Sequence, residues 1–205
     1  MRENKSRLYK ITAAGVFSAI VVVLQCTLGL ITVGTVNLNF VLIPIIIAGY
    51  LYGPAVGTIT GLAFGLTVFI QCITGAQGVF GSTLLNINWF YTFMLNVVRG
   101  ALIGFVPAML WRALSKVGNL YVRALIPALV TPVVNTGLFL IGYAVFFNGH
   151  MHELMNALGA SVMSLLFITL AGLNFVFEFI TSGVIIPPVA TALVRYSASH
   201  SKPNE

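Results

Sequence analysis

The sequence predicts an all-α integral membrane protein of about six transmembrane helices, folded as a single domain over residues 1–205. Three observations carry this. Of the residues, 59% are hydrophobic and only 7% charged, with a mean hydropathy of +1.02. A soluble domain is roughly 25% charged, so this chain cannot cover a water-facing surface. Its length accommodates six spans of about 20 residues each with short loops and polar ends, leaving little for a soluble catalytic domain. Nine of its ten basic residues also fall where six helices put them on one side of a bilayer.

The elements follow in order. The opening MRENKSRLYK precedes an apolar run too long for a signal-peptide core, so helix 1 is read over residues 8–31. A neutral loop over 32–39 holds Gly34, Asn37 and Asn39. Helix 2 covers 40–52 and is broken by Gly53-Pro54, because proline cannot continue a helix but suits the first turn of the next. Helix 3 covers 55–73. The Gly-, Ser- and Asn-rich stretch 74–88 reads as a loop. Helix 4 covers 89–114, a turn lies at 116–119, and helix 5 covers 120–147. A polar loop, 148–156, holds His150, His152 and Glu153. Helix 6 covers 161–194, and Pro187-Pro188 should kink it or end it early.

Orientation follows from lysine and arginine. Arg2, Lys5, Arg7 and Lys10 precede helix 1, Arg112, Lys116 and Arg123 flank the helix 4–5 turn, and Arg195 and Lys202 follow helix 6. Both termini are therefore expected in the cytoplasm. The net charge of +6 is topogenic on this reading and does not point to nucleic acid.

The tenth basic residue, Arg99, lies about 20 Å from the cytoplasmic end of helix 4. A charge at that depth faces a cavity or a partner and marks a substrate path, unless it pairs structurally with Glu178 or snorkels to the interface. Glu178 is the one acid inside a predicted helix, about 25 Å before Arg195. Asn135 lies about 18 Å into helix 5, and Asn96 and Asn174 also stand within helices. Arg99, Asn96, Asn135 and Glu178 thus reach similar depths from three consecutive helices. Trp89, Phe90, Tyr91 and Phe93 suit an interfacial aromatic belt or the rim of a ligand pocket. Gly57, Gly61 and Gly65 form a small-residue face on helix 3; Ala14 with Ser18, and Gly15 with Ala19, form others on helix 1. Such faces serve internal packing or docking of a partner.

Other chemistries fare poorly. Cys26 and Cys72 make no CxxC spacing and read as packing residues. His150, His152 and Glu153 are too few for a convincing metal site. There is no Walker A loop, HExxH helix or GxSxG elbow, and no aspartate anywhere.

The stretch 43–54, IPIIIAGYLYGP, followed by Gly57, Gly61, Phe64 and Gly65, resembles the substrate-binding S component of energy-coupling factor (ECF) vitamin transporters. The resemblance covers nearly the whole chain and is sharpest in helices 2 and 3. It implies a vitamin captured from outside by helices 4 to 6 and the outer loops. It also implies docking, through a small-residue face on helix 1, onto a transmembrane scaffold subunit and two ABC-type ATPases. Cofactors are then expected to be absent from this chain, with ATP and Mg in the partner ATPases. Docking positions would be Ala14 and Ser18, or Gly15 and Ala19. Arg99 and Asn135 look like the pantothenate-type subgroup, with Asn96, Glu178, Trp89 and Tyr91 as further substrate-binding candidates. A buried arginine can bind a carboxylate through paired hydrogen bonds, which folate and biotin would also satisfy; riboflavin and cobalamin S components are further alternatives. The rival classes are a self-sufficient secondary transporter, for which one buried glutamate is thin equipment, and an intramembrane enzyme.

Overall fold

The computed structural model describes residues 2–27, 32–33, 36–37, 40–159, 161, 164 and 172–200. Its elements are α1 (Arg2–Thr27), β1 (Thr32–Val33), β2 (Val36–Asn37), α2 (Leu42–Tyr52), α3 (Pro54–Thr74), α4 (Gly78–Ile87), α5 (Trp89–Ala113), a 3-10 turn (Leu114–Lys116), α6 (Leu120–Phe146), α7 (Asn148–Leu158) and α8 (Gly172–His200). Among the described residues, five helices are long and apolar enough to cross a bilayer: Arg7–Thr27, Pro54–Thr74, Trp89–Lys116, Leu120–Phe146 and Gly172–Tyr196. The second helix is the exception. At 11 residues α2 is about 16 Å long, roughly half a hydrocarbon core. Its entry is a two-residue antiparallel ladder that pairs Thr32 with Asn37 and Val33 with Val36.

Local chemistry sets the helix ends. Gly53 has φ of 95°, a left-handed conformation open to glycine, and Pro54 starts α3 at once. Gly75, at φ 78°, closes α3. The side-chain oxygen of Asn88 accepts from the backbone N–H of Phe90 and Tyr91, and that of Asn119 from Tyr121 and Val122, capping α5 and α6.

Two expected loops are helical. The stretch 74–88 contains α4, and the polar stretch 148–156 belongs to α7. Gly, Ser and Asn in the first and polar side chains in the second hide an apolar face spaced by three or four residues. Phe80 and Leu84 of α4, with Met151, Leu154 and Met155 of α7, pack around Leu95, Tyr143 and Phe147. Pro187-Pro188 does not end the last helix, since α8 runs on to His200. Proline removes backbone donors, but neighbouring helices tolerate this inside a membrane bundle. The first part of predicted helix 6, including 165–171, and residues 28–31 of predicted helix 1 lie outside the described residues.

The glycine face of α3 packs on α5. A Cβ on Gly61 would meet the carbonyl oxygen of Gly100, one on Gly65 that of Asn96, and one on Gly104 that of Gly57. The two backbones therefore touch, an approach that the glycines of this face allow. At the basic end, Tyr50 of α2 stacks on Trp111 of α5 at 4.5 Å, and its hydroxyl donates to the Ala124 carbonyl at 2.9 Å. The Arg123 guanidinium lies 4.0 Å from the Trp111 ring centroid on its other contact, so α2, α5 and α6 are tied together there.

Candidate substrate-binding site

The site is built where α5, α6 and α8 meet in mid-bundle. Arg99 projects from α5 back toward that helix's N-terminus, as helical side chains do. One of its terminal nitrogens donates to Asn96 Oδ1 at 3.2 Å, and Asn96 in turn donates to the Thr92 carbonyl at 2.8 Å. The guanidinium carbon lies 5.3 Å from the ring centroid of Phe139 on α6 and 5.8 Å from that of Phe64 on α3. Arg99 Nε is enclosed and has no hydrogen-bond partner among the described residues.

One turn along α6 from Phe139, Asn135 is buried, and its Nδ2 donates to Glu178 Oε2 at 3.0 Å. Glu178 is 1% exposed, on α8. It interacts electrostatically with Arg99, so the two opposite charges of the middle bundle share one site. The Arg99 hydrogen bond goes to Asn96, however, and Glu178 is bonded to Asn135. Asn135 Oδ1 and Asn174 Oδ1 are enclosed acceptors with no partner among the described residues.

The structure thus brings Arg99, Asn96, Asn135 and Glu178 together. It does not bring Trp89 or Tyr91 to them. Trp89 is 64% exposed at the start of α5, and Tyr91 stacks on Phe146 at 5.0 Å on the outside of the bundle. Such placement suits a ring at a membrane interface. Phe64 and Phe139, the rings beside the guanidinium, were not singled out as site residues from the sequence. Their one signal was helical spacing, since Phe139 follows Asn135 by four. A ring ladder continues from Phe139 through Tyr143 to Phe147, and Tyr143 Oη lies 3.0 Å from His150 Nδ1 of α7.

A second polar cluster was also missed. Gln25 Nε2 of α1 donates to Gln71 Oε1 of α3 at 2.9 Å, and Gln77 Nε2 donates to the same oxygen at 2.7 Å. Both Gln25 and Gln71 are buried, tying α1 to α3 at the end far from the basic residues. Amides inside two apolar segments were the available signal.

The described residues hold no group of three or more His, Cys, Asp or Glu arranged to bind a metal ion. Two opposite charges, orphaned amide oxygens and aromatic walls can hold a small polar molecule. A family model decides what kind of protein presents this site: the substrate-specific component of ECF transporters matches residues 9–194. This chain belongs to that family. No curated protein sequence matches it. As an S component it is a membrane protein and a substrate-binding transport subunit rather than a catalytic one. Family membership implies a vitamin ligand and an ECF module as partner.

Proposed function

We propose that this S component binds pantothenate and delivers it to a separate ATP-driven module of a scaffold subunit and two ABC-type ATPases. ATP and Mg are used in those partners. The observation that carries the reading is Arg99. It is a guanidinium with five N–H donors, set between two rings, whose one side-chain hydrogen bond among the described residues goes to a neutral amide. Its Nε donor is enclosed and unmatched among the described residues. A ligand carboxylate would satisfy that fork with paired, charge-assisted bonds. The hydroxyls and amide of pantothenate suit the neutral amides of Asn96, beside Arg99, and Asn135, beside Glu178.

Docking fits the helix 1 face made by Gly15 and Ala19. Ala14 is buried against Ala48 and Val56, and Ser18 is half-buried. Gly15 and Ala19 are exposed, and a Cβ on Gly15 would meet nothing within 4 Å. That outward strip can accept another helix closely.

Calorimetric titration of the purified chain in detergent tests the ligand. Pantothenate is expected to bind, with folate, biotin, riboflavin and cobalamin failing to compete. Tight binding of one of those and none of pantothenate overturns the vitamin assignment.

A further inference from the structure

We propose that Glu178 is a positioning residue: it turns the Asn135 amide so that the carbonyl oxygen faces the bound ligand, and the site therefore selects an anion that also carries a hydrogen-bond donor. The inference rests on the pantothenate reading but assigns a polarity which that reading leaves open.

An asparagine amide has one donating edge and one accepting edge, and density or packing alone rarely tells them apart. Here the neighbour tells them apart. Asn135 Nδ2 is the atom that lies 3.0 Å from Glu178 Oε2, the pairing that an ionised carboxylate, an acceptor only, calls for. Arg99 supplies the compensating charge in the same site. With the NH2 edge committed, Oδ1 points away from Glu178, and it has no donor among the described residues. Asn174, one turn before Glu178 on α8, leaves a second enclosed oxygen without a donor among the described residues. A buried acceptor without a donor is costly, and a ligand hydroxyl or amide N–H removes the cost. On the α5 side the polarity is opposite, because Arg99 Nε is a donor without an acceptor among the described residues. The complementary molecule is anionic at one end and donates hydrogen bonds at the other. A site whose buried acceptor is held in place rejects analogues lacking the matching donor.

Two measurements test this. The first needs no ligand. Asn135→Asp sets two carboxylates against each other and should lower the melting temperature in detergent by several degrees. Adding Glu178→Gln restores a donor facing an acceptor at unchanged total charge, and should recover most of the loss. A double variant that melts no higher than Asn135→Asp alone overturns the polarity. The second is calorimetry with pantothenate, its two monodeoxy analogues and pantothenol. The parent should bind at least one monodeoxy analogue about tenfold or more weakly, and Glu178→Gln should shrink that factor to about threefold or less. Preference for pantothenate over pantothenol, which reads the carboxylate, should survive in Glu178→Gln. Equal loss of both preferences marks a merely structural glutamate and overturns the proposal, as does a parent indifferent to both hydroxyls. A parent that fails to bind pantothenate refutes the vitamin instead, and the melting series then decides the polarity by itself.

Discussion

Arg99 is where the energetics concentrate. Placing arginine at mid-membrane depth costs about 2.5–3.5 kcal/mol on insertion scales, against which stand its bond to Asn96, the rings of Phe64 and Phe139 and the opposite charge of Glu178. If a ligand carboxylate adds to these, Arg99→Ala weakens pantothenate binding by about 2–5 kcal/mol. Arg99→Lys recovers only part, because an ammonium lacks the planar fork. Asn135→Ala costs less, about 1–3 kcal/mol, as the loss of a neutral partner. Calorimetry beside a melting curve for each variant separates these outcomes from a structural role. A structural Arg99 would instead lower the melting temperature and leave the affinity of the folded fraction intact. Unchanged pantothenate affinity in Arg99→Ala removes the main physical support for an anionic ligand.

Among the elements, two small-residue strips of similar sequence have opposite fates. Gly57, Gly61 and Gly65 of α3 are consumed by α5, whose backbone occupies the space a Cβ would need. Gly61→Ala is therefore expected to destabilise the fold by about 1–3 kcal/mol or more through overpacking, read as a lower melting temperature with reduced ligand binding. Gly15 of α1 faces open space. Gly15→Trp and Ala19→Trp are expected to leave pantothenate affinity and melting unchanged while abolishing uptake by cells that hold the complete transporter. Normal uptake by both variants would place the docking surface elsewhere on the subunit.

The whole molecule has a direction. Basic residues sit at the N-terminal end of α1, at the α5–α6 turn and at the C-terminal part of α8, while α4 and α7 lie at the opposite end. By the positive-inside bias the basic end is expected in the cytoplasm. Gly118 and Gly149 are exposed at opposite ends with nothing near a Cβ. In a Cys26→Ser background, Gly149→Cys should react with a membrane-impermeant maleimide from outside intact cells and Gly118→Cys should not. The reverse pattern would falsify the orientation. No Walker A loop is present in the sequence, so binding should not need ATP, whereas uptake should need separate ATPases. Concentrative pantothenate transport by this chain alone in liposomes would sink the coupling model and favour a secondary transporter.

Much of this was readable before any coordinates, because lipid is a demanding solvent. It leaves long apolar runs, confines charge to the ends and makes every internal polar residue conspicuous. The membrane fold and the common depth of Arg99, Asn96, Asn135 and Glu178 follow from that rule, while the breaks at Gly53-Pro54 and Asn119 follow from the local chemistry of glycine, proline and a capping asparagine. The helices α4 and α7 escaped it because they lie among polar residues, where composition speaks of loops and only a short apolar face speaks of helix. What needed the tertiary structure was rotation and pairing. Depth along a helix is linear in residue number, but the facing partner depends on how each helix turns about its own axis. That rotation set Asn135 against Glu178, 43 positions away, and Arg99 against Asn96 in its own helix. It also turned Ala14 inward and Gly15 outward, and spent the glycine strip of α3 on α5 rather than on a partner protein. Neighbouring residues on one helix differ by about 100° in direction, and only packing against the other helices decides which of them faces in.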